Sequence, residues 1–333
     1  MNIFLRKTIC LLLSALFFTG GAVPVSAADT AEAENKFIKW VDFDVSYIAL
    51  SQALERDVKS HGTDRPLDWI ELLAYLAAKY GGKFSKYKQK DLDSLIKSLD
   101  GGKTVAELAE GLTYYPYYLE AYTAVLGGFV GEYSAQAPDP DDPERLVWQA
   151  HYGLKVFSPV AAGYYFSHYD DFGSGRSYGY SRRHLGHDLF GEVGTPIVAV
   201  EGGVVEVMGW NRYGGWRLGV RSHDGLRYYY YAHLRKNRPY HCDMAEGVTV
   251  RAGDVIGYMG RTGYSTKENT NNIKQTHLHF GLQLIFDPSQ KDGPGEIWVD
   301  LYAITRLLDK NRSAVYKAEE TKEYYRRYGM AEG

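Results

Sequence analysis

Residues 276–284, THLHFGLQL, decide the fold of the second half of the chain. Every second residue is apolar, and side chains alternate between the two faces of a strand, so one face of this segment is expected to be buried. His277 and His279 share the other face, whereas on a helix they would diverge by about 200°. The segment therefore predicts a strand that carries two imidazoles opposite its core side.

Short runs of Val, Ile and Tyr, separated by glycines, surround this strand. They include TPIVAVEGG (195–203), VVEVMGW (204–210), RLGVRSHDG (217–225), LRYYYYAHL (226–234) and VIGYMG (255–260). Strands that alternate between apolar and polar residues, with a glycine turn about every 8 to 12 residues, are typical of antiparallel sheets. The sequence therefore predicts a mainly antiparallel β domain over residues 148–290.

The histidines concentrate in this β domain, since nine of the ten lie between His151 and His279. In RRHLGHDLFG (182–191), His184 and Asp188 are four residues apart and share a face of an extended chain. An imidazole and a carboxylate suit zinc, and one histidine of the 277–279 strand completes three protein ligands. The fourth tetrahedral position is then open to water, as in catalytic rather than structural zinc sites. This pattern predicts one zinc ion that activates water to attack an amide.

Four blocks of the sequence also resemble a known family: RRHLGHDLFGEVGTPIVAVEGGVV (182–205), YYYYAHL (228–234), VRAGDVIGYMGRTGYST (250–266) and THLHF (276–280). Over about residues 148–285 the chain resembles the lysostaphin-type (LytM-like) zinc metalloendopeptidases of bacterial cell walls. The resemblance implies a two-His, one-Asp zinc site in a groove floored by an antiparallel sheet. It also implies that the substrate is a peptide of peptidoglycan, in its stems or its cross-links.

Carried over by position, the resemblance makes His184, Asp188 and His279 the metal ligands. His277 becomes the candidate general base that takes a proton from water, and His233 becomes its partner in stabilising the tetrahedral oxyanion. These roles suit histidines that are not coordinated, because their pKa lies near neutrality.

Two features depart from the family pattern or sit beside it. The segment KENTNNIKQ, residues 267–275, lengthens the loop before the histidine strand, and we expect it to line the groove. His187 directly precedes Asp188 and faces away from the site if this segment is a strand, so we interpret it as structural or as a support for the ligands.

Two other functions are compatible with parts of the sequence. A catalytically inactive LytM-type domain could bind the wall or regulate another wall hydrolase, and its metal content would reveal it. The segment VRAGDVIGYMG also resembles biotinyl and lipoyl carrier domains, but between residues 202 and 260 the only lysine is Lys236, which lies in no carrier motif.

The first half of the chain follows a different pattern. Helical spacing and glycine stops predict an all-helical domain over residues 34–135, which we expect to bind the wall, position the enzyme or occlude its groove. The segment APDPDDPE within residues 136–147 predicts an acidic, Pro-rich linker that is extended and solvated. Residues 291–333 predict a short helical tail.

The N-terminus predicts export. Arg6 and Lys7 precede an apolar stretch and then small residues that end at Ala27, which is typical of a signal peptide over residues 1–27. We therefore expect an exported protein of the cell envelope, cell wall or extracellular space, with no membrane span in the mature chain. Only Cys242 then remains of the two cysteines, and we interpret it as incidental. The formal charge of −3 gives no case for a nucleic-acid partner.

Overall fold

The computed structural model of the chain describes residues 37–177 and 181–332. The predicted signal peptide, residues 1–27, and the first residues of the predicted helical domain lie outside these residues. From residue 37 onward the chain forms one compact unit. Within the described part of the chain, no helix combines the length and the apolar character that crossing a membrane requires.

Helices dominate the region before residue 130, but the predicted all-helical domain over residues 34–135 is too long, because a strand begins at Val130. The helices of this region are α1 (Tyr47–Ser60), α2 (Trp69–Tyr80), α3 (Gln89–Asp100), α4 (Val105–Leu108) and α5 (Tyr115–Leu126), with a 3₁₀ turn at Phe84–Lys86. Asp68 begins α2 by accepting hydrogen bonds from two N–H groups of the first turn, and Gly81 ends it in a left-handed conformation with φ of 64°. The helices bury their apolar faces against one another, with Leu72, Leu73 and Leu76 of α2 fully enclosed.

From Val130 onward the regular structure is mainly strand. The strands are β1 (Val130–Pro138), β2 (Leu146–Leu154), β3 (Ser167–Tyr169), β4 (Gly175–Ser177), β5 (Ser181–Arg183), β6 (His187–Phe190), β7 (Pro196–Val198), β8 (Gly203–Asn211), β9 (Gly215–Ser222), β10 (Arg227–Ala232), β11 (Thr249–Val250), β12 (Val255–Tyr258), β13 (His277–Leu284), β14 (Ile297–Trp298), β15 (Val315–Lys317), β16 (Tyr324–Arg326) and β17 (Met330–Glu332). The main sheet has the order β11-β8-β9-β10-β13-β6-β3, with β14 beside β13, and its described pairs are antiparallel.

The strand predicted from THLHFGLQL is confirmed as β13, which lies near the centre of the main sheet. Its four apolar side chains are buried: Leu278, Phe280, Leu282 and Leu284. β13 lies between β10 and β6, so His279 pairs with Ala232 on one side and with Asp188 on the other. This register brings two of the predicted metal ligands onto adjacent strands.

The predicted linker over residues 136–147 is wrong. β1 and β2 pair along their whole length, from Val130 opposite Leu154 to Pro138 opposite Leu146, and the acidic segment is the loop of this hairpin. Inside the loop, Asp139 forms an ion pair with Arg145. Pro138 ends the first strand, where a missing N–H is tolerated. Composition does not show that the flanking strands pair, and between them residues 140–145 form bends and a turn rather than an extended chain.

The predicted helical tail over residues 291–333 is wrong in most of its length. It contains one helix, α6 (Tyr302–Leu308), and then three short strands. β17 pairs with β1, which lies almost two hundred residues earlier in the sequence. Glu323 is buried and accepts hydrogen bonds from Tyr258 and Arg238. Tyrosine-rich segments favour strands, and these contacts with distant residues fix the tail in that conformation.

The helices and the main sheet share one hydrophobic core, so the chain has no boundary between two cores at residues 136–147. Polar contacts join the two regions as well. Arg227 of β10 donates a hydrogen bond to the carbonyl oxygen of Ala124 in α5, at 3.0 Å. Tyr152 of β2 donates to the carboxylate of Asp57 in α1, at 2.7 Å. The helical region is therefore anchored to the sheet that carries the candidate site.

Candidate metal centre

The structure brings three of the predicted site residues, His184, Asp188 and His279, to one point. The Nε2 atom of His184 lies 3.0 Å from Oδ1 of Asp188 and 2.9 Å from Nδ1 of His279, and the latter two atoms are 3.0 Å apart. These three residues, the His–Asp–His trio, are a group that could hold a metal ion. A tetrahedral zinc with bonds of about 2.1 Å separates its ligands by about 3.4 Å, so the trio fits one face of such a site.

The protons of the trio show why these atoms suit a cation. His184 Nδ1 lies 2.8 Å from Oδ1 of Asp171, a carboxylate that can only accept, so this contact favours a hydrogen on Nδ1. In that tautomer, His184 Nε2 presents a lone pair to Asp188 and His279. A carboxylate oxygen and an imidazole lone pair repel each other at 3.0 Å unless a positive charge lies between them. The donor set therefore fits a metal ion.

Asp171 and Arg176 support the trio, and the sequence analysis missed both. Asp171 contacts His184 and forms an ion pair with Arg176, whose guanidinium also lies 3.4 Å from Oδ2 of Asp188. A carboxylate that holds the outer nitrogen of a ligand histidine fixes the orientation and the tautomer of its ring. Asp171 stands in DDFGSGR (170–176) with no spacing that marks it, so the sequence carries no signal for this role.

Local backbone requirements also shape the trio. A Cβ atom at Gly186 would lie within 2.6 Å of the His279 ring, so only glycine lets the loop before β6 approach this imidazole. His184 itself precedes β6 in a loop, and its main chain is held by hydrogen bonds with residues 173 and 174.

His277 and His233, the two predicted catalytic residues, lie beside the trio. Their ring centroids are 4.8 Å apart, and that of His233 lies 5.9 Å from that of His279. The Nδ1 of His277 donates to the carbonyl of Gln275, and the Nδ1 of His233 donates to the carbonyl of Thr262, each at 2.9 Å. The Nε2 atom of each ring is therefore the one left for a ligand, and that of His277 lies 3.8 Å from Oδ1 of Asp188.

Burial and mutual contacts shift the pKa values in this cluster. Burial disfavours the ionised form of Asp188, but the adjacent imidazoles of His279 and His277 favour it, and the pKa of Asp188 lies well below its usual range. Burial, aided by the neighbouring imidazoles, lowers the pKa of His233 well below its usual value, and burial also lowers the pKa of His279. These shifts favour an ionised Asp188 carboxylate beside neutral imidazoles at His233 and His279.

The trio opens into a groove of about 810 Å³ on the face of the main sheet. Tyr228 and Tyr230 of β10 line its floor, and residues 272–275 of the long loop line its wall. The prediction that this loop lines the groove is confirmed. Among the described residues, the lining comes from positions 176–298, so no described residue of the helical region occludes the groove.

His187 faces the opposite side of the sheet, as its position next to Asp188 predicts. Its Nε2 lies 3.0 Å from Nδ1 of His168, whose Nε2 in turn lies 2.7 Å from the carboxylate of Asp309. Burial lowers the pKa of His187 to about 3. The chain from His187 to Asp309 ties β6 to the C-terminal region rather than entering the groove.

Comparison with known proteins agrees with this geometry. Residues 182–290 match peptidase family M23. The L-Ala–D-Glu endopeptidase of Bacillus subtilis (strain 168) is 37% identical over 124 residues, which cover 37% of this chain and 36% of that protein. Lysostaphin of Staphylococcus simulans is 38% identical over 98 residues, which cover 29% of this chain and 17% of lysostaphin. A solved lytM structure from Ruminococcus gnavus ATCC 29149 has the same fold, with a TM-score of 0.51 at 24% identity over 81% of this chain and 91% of that one.

These matches cover the part of the chain that carries the main sheet and the trio. Residues 182–290 are similar to peptidase family M23 and to lysostaphin, and the fold is that of the lytM structure. The chain spans 36% or less of the length of the two curated relatives described above.

Proposed function

We propose that this chain is a zinc-dependent endopeptidase that hydrolyses peptide bonds in the stems or cross-links of peptidoglycan and acts outside the cytoplasm. The observation that carries the proposal is the His–Asp–His trio, whose three ligand atoms lie within 3.0 Å of one another at the edge of an open groove. The names of the relatives support the substrate class, because an L-Ala–D-Glu endopeptidase and lysostaphin share this domain.

The residues of the trio would hold the ion through two imidazole nitrogens and one carboxylate oxygen. When bound, the ion supplies Lewis acidity toward a water molecule and a substrate carbonyl. The role of Asp171 and Arg176 is to keep His184 and Asp188 in place while the groove is occupied.

His277 would take the proton of the attacking water. Its Nδ1 is committed to the carbonyl of Gln275, so its Nε2 is the atom that accepts. His233 is held in the same way by Thr262 and is neutral at rest because it is buried. His233 can therefore donate to a developing oxyanion only after it gains a proton, which the neighbouring His277 can share with it.

The experiment that tests the proposal is mass spectrometry of the fragments released from purified peptidoglycan by the zinc-loaded protein, with His184→Ala as the control. New peptide termini released by the wild-type protein alone would establish the activity and identify the bond. Absence of release by a protein that holds stoichiometric zinc would contradict the proposal and favour a domain that binds the wall or regulates another hydrolase.

A further inference from the structure

The groove differs in charge from the rest of the molecule. The whole chain has a formal charge of −3. Lysines and arginines nevertheless outnumber acids in the groove lining: the cations are Arg176, Arg182, Arg183, Arg217, Lys274 and Lys291, and the acids are Asp188, Asp292 and Glu296. An excess of positive charge in a cleft attracts and orients an anionic ligand.

Some of these cations already contact an acidic or aromatic side chain of the protein. Arg176 pairs with Asp171 and Asp188, and Lys291 pairs with Glu206. Arg182 lies over the ring of Tyr213, with its guanidinium carbon 4.8 Å from the ring centroid. These contacts are internal to the protein and leave less of each charge for a ligand.

Arg217 has no such partner. Among the described residues, its side chain forms no ion pair and no hydrogen bond, and its Nε atom is buried without a partner. Arg221 lies on the same face of the same strand, β9, and donates to the carboxylate of Glu206 at 2.7 Å and 3.3 Å. Burying a guanidinium N–H without an acceptor costs free energy. A carboxylate removes this cost, because its two oxygens can accept hydrogen bonds from two guanidinium nitrogens at once.

The register of the sheet places Arg217 close to the trio. Ala232 of β10 pairs with His279, and the preceding residue, Tyr231, pairs with Leu218, which follows Arg217. Arg217 is therefore two strands from β13, or about 10 Å between backbones at the usual strand spacing. An extended peptide advances about 3.4 Å per residue, so an Arg side chain at this position reaches a carboxylate one or two residues from the scissile bond.

We propose that Arg217 binds a carboxylate of the substrate peptide next to the scissile bond. The groove then selects acid-bearing stem peptides over uncharged glycine bridges. The inference rests on the proposed function and adds the substrate class to it. Similar proteins are named for both kinds of bond. One is the L-Ala–D-Glu endopeptidase of Bacillus subtilis, and another is the glycyl-glycine endopeptidase ALE-1 of Staphylococcus capitis.

The test compares three synthetic peptides with the zinc-loaded protein. The first contains an L-Ala–D-Glu bond with a free Glu carboxylate, the second is its twin with that carboxylate converted to a carboxamide, and the third is pentaglycine. Charged hydrogen bonds stabilise by about 1.5–3 kcal/mol, so we expect kcat/KM to favour the free carboxylate by about 10- to 100-fold. Arg217→Gln should abolish this preference by losing far more kcat/KM on the free-carboxylate peptide than on the carboxamide peptide.

Arg221→Gln is the matched control, because it removes an arginine from the same face of β9 outside the groove, and it should keep the preference. Equal cleavage of the two twin peptides by the wild type, faster cleavage of pentaglycine, or an equal loss on both twins in Arg217→Gln would overturn the inference. If the wild type cleaves no peptide and no peptidoglycan, the proposed function fails. The inference about Arg217 can then still be tested by calorimetry, which measures the affinity for the same peptides. Tighter binding of the free carboxylate that Arg217→Gln abolishes supports it, and equal affinities reject it.

Discussion

Two buried polar clusters lie on opposite faces of the main sheet, and they differ in how their atoms are satisfied. On the groove face, the His–Asp–His trio crowds two imidazole nitrogens and one carboxylate oxygen together. On the core face, Arg227 donates to Glu201 and Asp224 and to the carbonyl of Ala124, while Tyr229 donates to Glu201. We call this second group the Arg227 cluster.

This difference indicates that the trio is suited to binding a metal ion, whereas the Arg227 cluster stabilises the fold. In the Arg227 cluster every donor meets an acceptor, and the positive guanidinium faces two carboxylates. In the trio, three atoms that can each offer a lone pair to a cation lie within 3.0 Å of one another. We therefore expect changes in the trio to alter metal binding and turnover, and changes in the Arg227 cluster to alter the free energy of unfolding.

The largest effect is expected from His279→Ala. Loss of one of three ligands should abolish stoichiometric zinc binding and reduce turnover of peptidoglycan to background. Zinc should raise the melting temperature of the wild type by mass action and should leave that of the variant unchanged. Metal analysis of the dialysed proteins and thermal unfolding with and without zinc measure both effects. Full zinc occupancy in the variant would show that His279 is not a ligand.

His277→Ala separates proton transfer from metal binding. Because His277 lies beside the trio rather than within it, the variant should keep most of its zinc and lose about 10²- to 10⁴-fold in kcat, the usual contribution of a general base. Single-turnover assays at matched zinc content measure this loss. Near-full turnover would reject His277 as the base and leave His233 as the candidate.

Arg227→Met reverses the pattern. It leaves the buried carboxylate of Glu201 without its cation, which typically costs about 3–5 kcal/mol of unfolding free energy. Zinc content should not change. Denaturant unfolding of the metal-free protein measures the cost, and Arg221→Met is the matched control. Arg221 and Glu206 are partly exposed, so this change should cost about 1 kcal/mol or less. Similar losses for both variants would contradict the special role of the Arg227 cluster.

The sequence predicted the parts of the site that are encoded by short spacing. The alternation around His277 and His279 specifies a strand, and the spacing of His184 and Asp188 specifies a mixed ligand pair. His233 was found through the family resemblance, because its place opposite His277 depends on how β10 and β13 align. Asp171 and Arg217 have no local signal, since their contacts arise only when distant segments meet in the sheet.

The same reasoning explains the errors in the fold. Proline and acid content favoured an extended linker at residues 136–147, but composition does not show that β1 and β2 pair and that a tight loop joins them. The tail is a second example. β17 finds its partner in β1, and Glu323 finds Tyr258, so contacts across the whole chain decide its structure.

The smallest effect is expected from Asp171→Asn, which tests how far the trio depends on its support. The amide keeps the shape of the carboxylate but removes the charge that fixes the proton on Nδ1 of His184. Loss of such a partner typically weakens metal affinity by about 10- to 100-fold. Competition with a zinc chelator measures the affinity.

The neighbouring Asp170 is exposed and provides the matched control, because Asp170→Asn removes the same charge without touching His184. A purely structural role for Asp171 would lower the unfolding free energy of the metal-free protein and leave zinc affinity intact in the folded fraction. A positioning role predicts weaker zinc affinity and little change in the unfolding free energy of the metal-free protein, because orienting the His184 ring stabilises that form only slightly. The two clusters therefore also differ in the residues that support them. Asp171 affects zinc affinity and acts only when the metal ion is bound, whereas Glu201 stabilises the fold with or without the ion.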